Sequence, residues 1–181
     1  MLGPSWLVED LKAHPHLPAP VEDGDTFEAN ARIKALAISK ALPEALILSD
    51  DSGLEVDALG GAPGVWSARY AGPNATDADN RHRLKRELDL IREEGPLPFK
   101  GRFRCCMVLA ENGEVLGAFH GTVEGRLLFT EEGAGGFGYD PLFVPDGFEQ
   151  SFGVLPTETK NQLSHRARAL AQVKAWLEER G

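Results

Sequence analysis

Between Thr26 and Leu42 the apolar residues Phe27, Ala31, Ile33, Ala35, Leu36 and Ala37 recur at helical spacing, and Pro43 ends the pattern. The spacing predicts an amphipathic helix, with Asp25 and Glu28 placed like a capping box at its start. Ala45 to Leu48 is a short apolar run closed by Ser49-Asp50-Asp51-Ser52-Gly53, which reads as a buried strand ending in a polar turn. Leu59 to Asn74 has no clear period and reads as an ordered loop. From Asp77 to Glu94 the positions of Leu84, Leu88 and Ile91 predict a second helix, stopped near Gly95-Pro96. Arg102–Ala110 and Glu114–His120 flank Glu111-Asn112-Gly113, and Asn-Gly between two apolar runs is a strong hairpin signal. Gly121 to Phe129 adds a further strand. A third long helix follows from Ala167, Leu170, Ala171, Val173 and Leu177, over Leu163 to Glu179. These elements predict an α/β class with a mixed sheet.

Composition narrows the partners. A chain of 181 residues fits one domain, and its net charge of -9 repels duplexes and anionic membranes, so the expected ligand is small, with neither nucleic acid nor membrane as a partner. Cys105 and Cys106 are adjacent, point to opposite faces of a strand and cannot form a disulfide framework, which favours a reducing compartment. No apolar stretch approaches the roughly 20 residues of a membrane span, and Met1-Leu2-Gly3-Pro4-Ser5-Trp6 lacks the regions of a signal peptide. The cytoplasm is the expected location.

Three constellations carry candidate chemistry. Asp50 and Asp51 offer hard oxygen ligands for Mg²⁺, and Glu22 and Asp23 can add charge; the plain alternative is an Asx turn capping Ser52-Gly53. Lys160, His165 and Arg166 can direct three donors at phosphate oxygens or a base carbonyl, against the alternative of a cationic helix end on the surface. Gly133-Ala134-Gly135-Gly136-Phe137-Gly138-Tyr139-Asp140-Pro141 is too rich in glycine for a helix and too aromatic for a linker. Phe137 and Tyr139, split by Gly138, can give a ring to a base face or plug the core. His14 and His16 have no nearby Cys or His to complete a metal site, and no Walker-type loop or Ser-His-Asp arrangement is readable.

Taken in order, Thr26-Phe27-Glu28-Ala29-Asn30-Ala31, Asp50-Asp51-Ser52-Gly53-Leu54, Gly60-Gly61-Ala62-Pro63-Gly64, Ser67-Ala68-Arg69-Tyr70, Gly135-Gly136-Phe137-Gly138-Tyr139-Asp140-Pro141 and Ser164-His165-Arg166 resemble the Ham1/RdgB family of inosine triphosphate pyrophosphatases. The resemblance runs from about Val21 to the C-terminus. It implies an elongated α/β domain with a long central mixed sheet flanked by helices. It also implies a Mg²⁺-dependent homodimer that hydrolyses ITP, dITP and XTP to the monophosphate and pyrophosphate. By motif, Asp51 would be the general base for the attacking water and, with Asp50 and Glu22, would place the metal. Ser52 would contact the substrate, Phe137, Gly138, Tyr139 and Asp140 would line base and sugar, Lys160 would contact the nucleotide, and His165 with Arg166 would read the base.

The selection has a physical basis independent of the family. Hypoxanthine and xanthine carry a 6-oxo acceptor where adenine carries an amino donor, so the ever-donating Arg166 suits the former and leaves the latter mispaired. A site built around such a bond can reject the wrong partner by about 10⁴-fold. One departure stands out. Members of the family open with a strand running into a Thr/Ser-Gly-Asn-x-x-Lys phosphate loop and a first helix, whereas this chain begins Met1-Leu2-Gly3-Pro4-Ser5 and reads as one ITPase-like domain, short at its start. The alternative expectation is therefore a nucleotide-binding module without turnover.

Overall fold

The computed structural model of the chain describes residues 7–17 and 19–180, so the opening Met1–Trp6 reading lies outside the described residues. Helix α1, Phe27–Ala41, begins at Thr26, whose Oγ1 accepts the Ala29 N–H at 3.0 Å. The cap is thus Thr26 and not the expected Asp25: Thr26 holds the extended backbone of an N-cap residue, and its hydroxyl meets a donor three residues on. Helix α2, Asp77–Leu90, has a full capping box in which Thr76 and Asp79 satisfy each other's backbone N–H. Two 3-10 turns, Asp57–Leu59 and Gly64–Arg69, give partial order to the stretch expected to be a loop.

Four strands, β1 Ile47–Val56, β2 Lys100–Glu111, β3 Glu114–Leu127 and β4 Phe143–Pro145, form one sheet in sequence order. The α/β class holds. The sheet was expected to be mixed, yet every pairing among these four strands is antiparallel. Asn112 and Gly113 take φ of 47° and 78°, as a tight hairpin between β2 and β3 requires. The expected separate strand beyond Gly121 is simply the continuation of β3.

The Asp50-Asp51 segment departs most from expectation. Ser49 to Gly53 do not form a turn; they are the middle of β1, paired in register with Val108, Met107, Cys106, Cys105 and Arg104 of β2. Asp50, Asp51 and Ser52 are only half-buried, so their polar ends remain solvated or hydrogen-bonded within the strand. Strand alternation then sends Asp51 to one face of the sheet and Asp50 to the other.

Both sheet faces are covered. On the first, Phe27, Ala31 and Ala35 of α1 pack against Cys106, Val108 and Ala110. On the second, Ala169 and Val173 of α4, His165–Glu178, pack against Cys105, Met107, Leu109 and Phe119. The two cysteines therefore lie buried on opposite faces, as adjacent strand residues must. A short helix α3, Thr157–Leu163, precedes α4, and Ser164 caps the latter through the Ala167 N–H. A Cβ at Gly121 would stand 1.9 Å from the His165 carbonyl oxygen, so only glycine lets the start of α4 lie this close to β3.

Candidate active site

Asp51 is drawn into a polar cluster on the α1 side. Asn30, 1 % exposed, donates from Nδ2 to Asp51 Oδ2 at 3.1 Å, and its own Oδ1 accepts the Gly24 N–H at 2.8 Å. That second bond fixes the amide's orientation and hence the direction of its donor. Lys34, one turn further along the same helix face, has Nζ 3.0 Å from Glu22 Oε2 and 3.6 Å from Asp51 Oδ1. Burial raises the Asp51 carboxyl above its ordinary range and Glu22 adds to the rise, against the opposing pull of Lys34, Asn30 and the Ser52 N–H. The result is a carboxylate easier to protonate than a surface aspartate.

This cluster fits a hard divalent cation. Two carboxylates from separate segments converge, and the structure already balances them with one ammonium between them. All-oxygen donors of this kind are what Mg²⁺ prefers. Asp50 does not join them. It faces the α4 side, where its Oδ2 accepts from Arg166 Nε at 2.9 Å, and Ser52 shares that face.

Around Arg166 the second half of the site assembles. Phe137 is 56 % exposed, and both the Arg166 guanidinium, at 5.3 Å, and the Lys160 ammonium, at 4.5 Å, lie over its ring. Gly138, at φ 59°, reverses the backbone after Phe137, and α2 clamps it there: Asp77 accepts the Gly138 N–H at 2.7 Å and Arg81 donates to its carbonyl at 2.8 Å. The reversal turns Tyr139 inward. Tyr139, expected to line the base and sugar, is 3 % exposed and donates its hydroxyl to the Ser67 carbonyl at 2.8 Å. Only one of the two rings is thus offered to a ligand.

Asp140 is likewise buried. It accepts the Phe137 N–H at 2.8 Å and a hydrogen bond from Lys160, so it ties the glycine-rich loop to α3 instead of facing a sugar. A Cβ at Gly136 would stand 2.0 Å from its carboxylate, at a φ of 73°. The loop therefore needs glycine on both counts. His165, 5 % exposed, stacks on Phe103 with ring centroids 5.0 Å apart, and its Nδ1 is buried without a partner. Burial, reinforced by Arg166 and Lys160, pushes the imidazole down to about 3, so it is neutral. An unpaired buried nitrogen is costly.

Asn30 and Lys34 escaped sequence reasoning as site residues. A signal existed: asparagine is a poor helix former, and an interior Asn followed four residues later by Lys puts two donors on one helix face. Nothing in the sequence, however, showed that this face meets Asp51.

The chain is similar to several known proteins. A family model described as "Ham1 family" matches residues 2–176. The dITP/XTP pyrophosphatase of Opitutus terrae is 45% identical over 178 residues, covering 96% of this chain and 85% of that protein. The protein of the same name from Shouchella clausii is 43% identical over 173 residues, with the same two shares. Among solved structures, the Staphylococcus aureus Ham1 protein superposes with a TM-score of 0.89 at 35% identity, over 99% of this chain and 91% of its own. A HAM1 protein from Coxiella burnetii gives 0.84 at 37% identity, over 93% and 84%.

Proposed function

The chain belongs to the Ham1 family, and from that premise we propose that it hydrolyses the non-canonical purine nucleoside triphosphates ITP, dITP and XTP to the monophosphate and pyrophosphate. The observation that carries the chemistry is the partly buried Asp51, aimed by Asn30 and set beside Glu22 and Lys34. Its raised proton affinity suits a general base, which works best when its pKa approaches the working pH. In this reading Asp51 takes a proton from a water attacking the α-phosphorus, and pyrophosphate leaves. Asp51 and Glu22 would also hold Mg²⁺, which when bound offsets phosphate charge. Asp50 acts differently from a ligand: it holds Arg166 by Nε, leaving the amino groups of the guanidinium to face a 6-oxo acceptor.

Phe137 supplies the stacking face for the purine, and Arg166 with the neutral His165 reads its edge. Lys160 adds positive charge beside the ring while remaining paired with Asp140. Ser52, on the Asp50 face of β1, would contact the substrate from that side. The homodimer and the Mg²⁺ requirement implied by the family resemblance belong to the same proposal. Among the described residues no helix is long and apolar enough to cross a membrane.

Hydrolysis of ITP in water enriched in heavy oxygen tests the bond assignment. Label in the monophosphate and none in pyrophosphate is the expected outcome. Label in pyrophosphate, or release of orthophosphate as the first product, would overturn attack at the α-phosphorus.

A further inference from the structure

The α1 face of the sheet holds a second cluster that the reaction does not use. Glu28 in the first turn of α1, Cys106 of β2 and His120 of β3 place one ligand atom each within 4.8 Å of one another. Cys106 and His120 are direct cross-strand partners, and His120 Nε2 lies 3.3 Å from Glu28 Oε2. The other Glu28 oxygen is held by Arg32 at 2.7 Å, which orients the carboxylate and leaves Oε2 turned toward His120. All three residues line a cleft of about 720 Å³ whose rim includes Asp25, Gly61 and Trp66. His120 is well exposed, and Cys106, though 1 % exposed, forms the floor.

From this geometry we infer that Glu28, Cys106 and His120 form a binding site for a thiophilic divalent cation of the Zn²⁺ or Co²⁺ type, adjoining the hard-oxygen site at Glu22 and Asp51, the latter being the cross-strand partner of Cys106. The donor set is one thiolate, one imidazole and one carboxylate, with the fourth position open to the cleft. That is the chemistry borderline-soft ions select and Mg²⁺ avoids. Donors around a tetrahedral ion at bond lengths of 2.0–2.3 Å stand about 3.6 Å apart, so closure needs an inward movement of about 1 Å. The side chains of Glu28 and His120 reach solvent and can rotate to supply it. Cys106 is a buried thiol, pushed up to about 11 by desolvation and by Glu28, so the cation must displace its proton on binding. An ordinary surface pair of Glu28 with His120 would not need sulfur beneath it. Cys105, on the opposite face, packs instead among Ala169 and Val173.

The test is a Co²⁺ titration of the full chain in excess Mg²⁺, followed by thiolate-to-cobalt charge-transfer absorption, with Zn²⁺ as competitor. The expected result is one equivalent bound, an absorption that Zn²⁺ abolishes and Mg²⁺ does not, and its loss in Cys106→Ser. His120→Gln, at an exposed position that does not endanger folding, should bind at least about tenfold more weakly. His120→Gln should also keep the melting temperature of the parent, its side chain being exposed. Absence of the absorption in the parent chain, its survival in Cys106→Ser, or unchanged affinity in His120→Gln overturns the site. None of these outcomes depends on whether the chain hydrolyses ITP.

Discussion

Lys160→Met isolates what the Lys160–Asp140 pair does for the loop that presents Phe137. Asp140 is almost fully buried and has two partners, the Phe137 N–H and the Lys160 ammonium. Methionine keeps the length of the apolar stem but leaves a buried carboxylate with a single neutral donor. Removing one partner of a buried ion pair costs about 3–5 kcal/mol, and the 15% exposure of the Lys160 side chain sets the expectation near 3 kcal/mol. For a chain of this size each kcal/mol shifts melting by about 2–4 °C, so the variant should melt roughly 6–12 °C below the parent. Differential scanning calorimetry measures this without substrate and so separates it from any loss of nucleotide contact. Adding Asp140→Asn removes the stranded charge while the amide oxygen still accepts from Phe137, and the double variant should recover a substantial part of the loss. A single variant melting within about 2 °C of the parent, or a double variant as unstable as the two losses added, would refute the reasoning.

Asp51→Asn should lower turnover of ITP by several orders of magnitude while melting at or above the parent at neutral pH. The sign follows from the raised carboxyl: burial makes the ionised form unfavourable in the folded chain, so this group opposes folding above its folded pKa and ceases to do so as pH falls through it. Arg166→Gln should reduce kcat/KM for ITP by about 10–100-fold, the worth of a charged hydrogen bond, and change that for ATP far less. His165 should show no imidazole titration by NMR from about pH 5 upward, because burial keeps it neutral; a midpoint between pH 6 and 7 would contradict the buried geometry. Chelation should abolish pyrophosphate release and Mg²⁺ should restore it; undiminished release in excess chelator would remove the metal from the account.

The long elements were legible because their signals are local. The periodicity over α1 and α2, and Asn112-Gly113 between two apolar runs, each fix an element without reference to the rest of the chain. The middle of β1 was not legible, since Ser-Asp-Asp-Ser-Gly has the composition of a turn and becomes strand only through pairing with β2, more than fifty residues away. That mistake concealed the separation of Asp50 from Asp51, because adjacent carboxylates in a turn can converge and in a strand cannot. Tyr139 was misplaced for a similar reason: whether Phe137 or Tyr139 faces outward is decided by the reversal at Gly138 and by Asp77 and Arg81, which belong to another helix. Lys160 and Arg166 both lie over the Phe137 ring, and His165 stacks on Phe103. Their internal partners, Asp140, Phe103 and Asp50, required the fold.

The measurement that bears most directly on the central claim is initial-rate pyrophosphate release from ITP, dITP, XTP, GTP and ATP in Mg²⁺, with equilibrium binding of the same nucleotides to the same preparation. The account predicts fast release from ITP, dITP and XTP, with ATP slower by orders of magnitude. Tight binding of ITP with no pyrophosphate released would contradict it and leave a nucleotide-binding module in place of the enzyme.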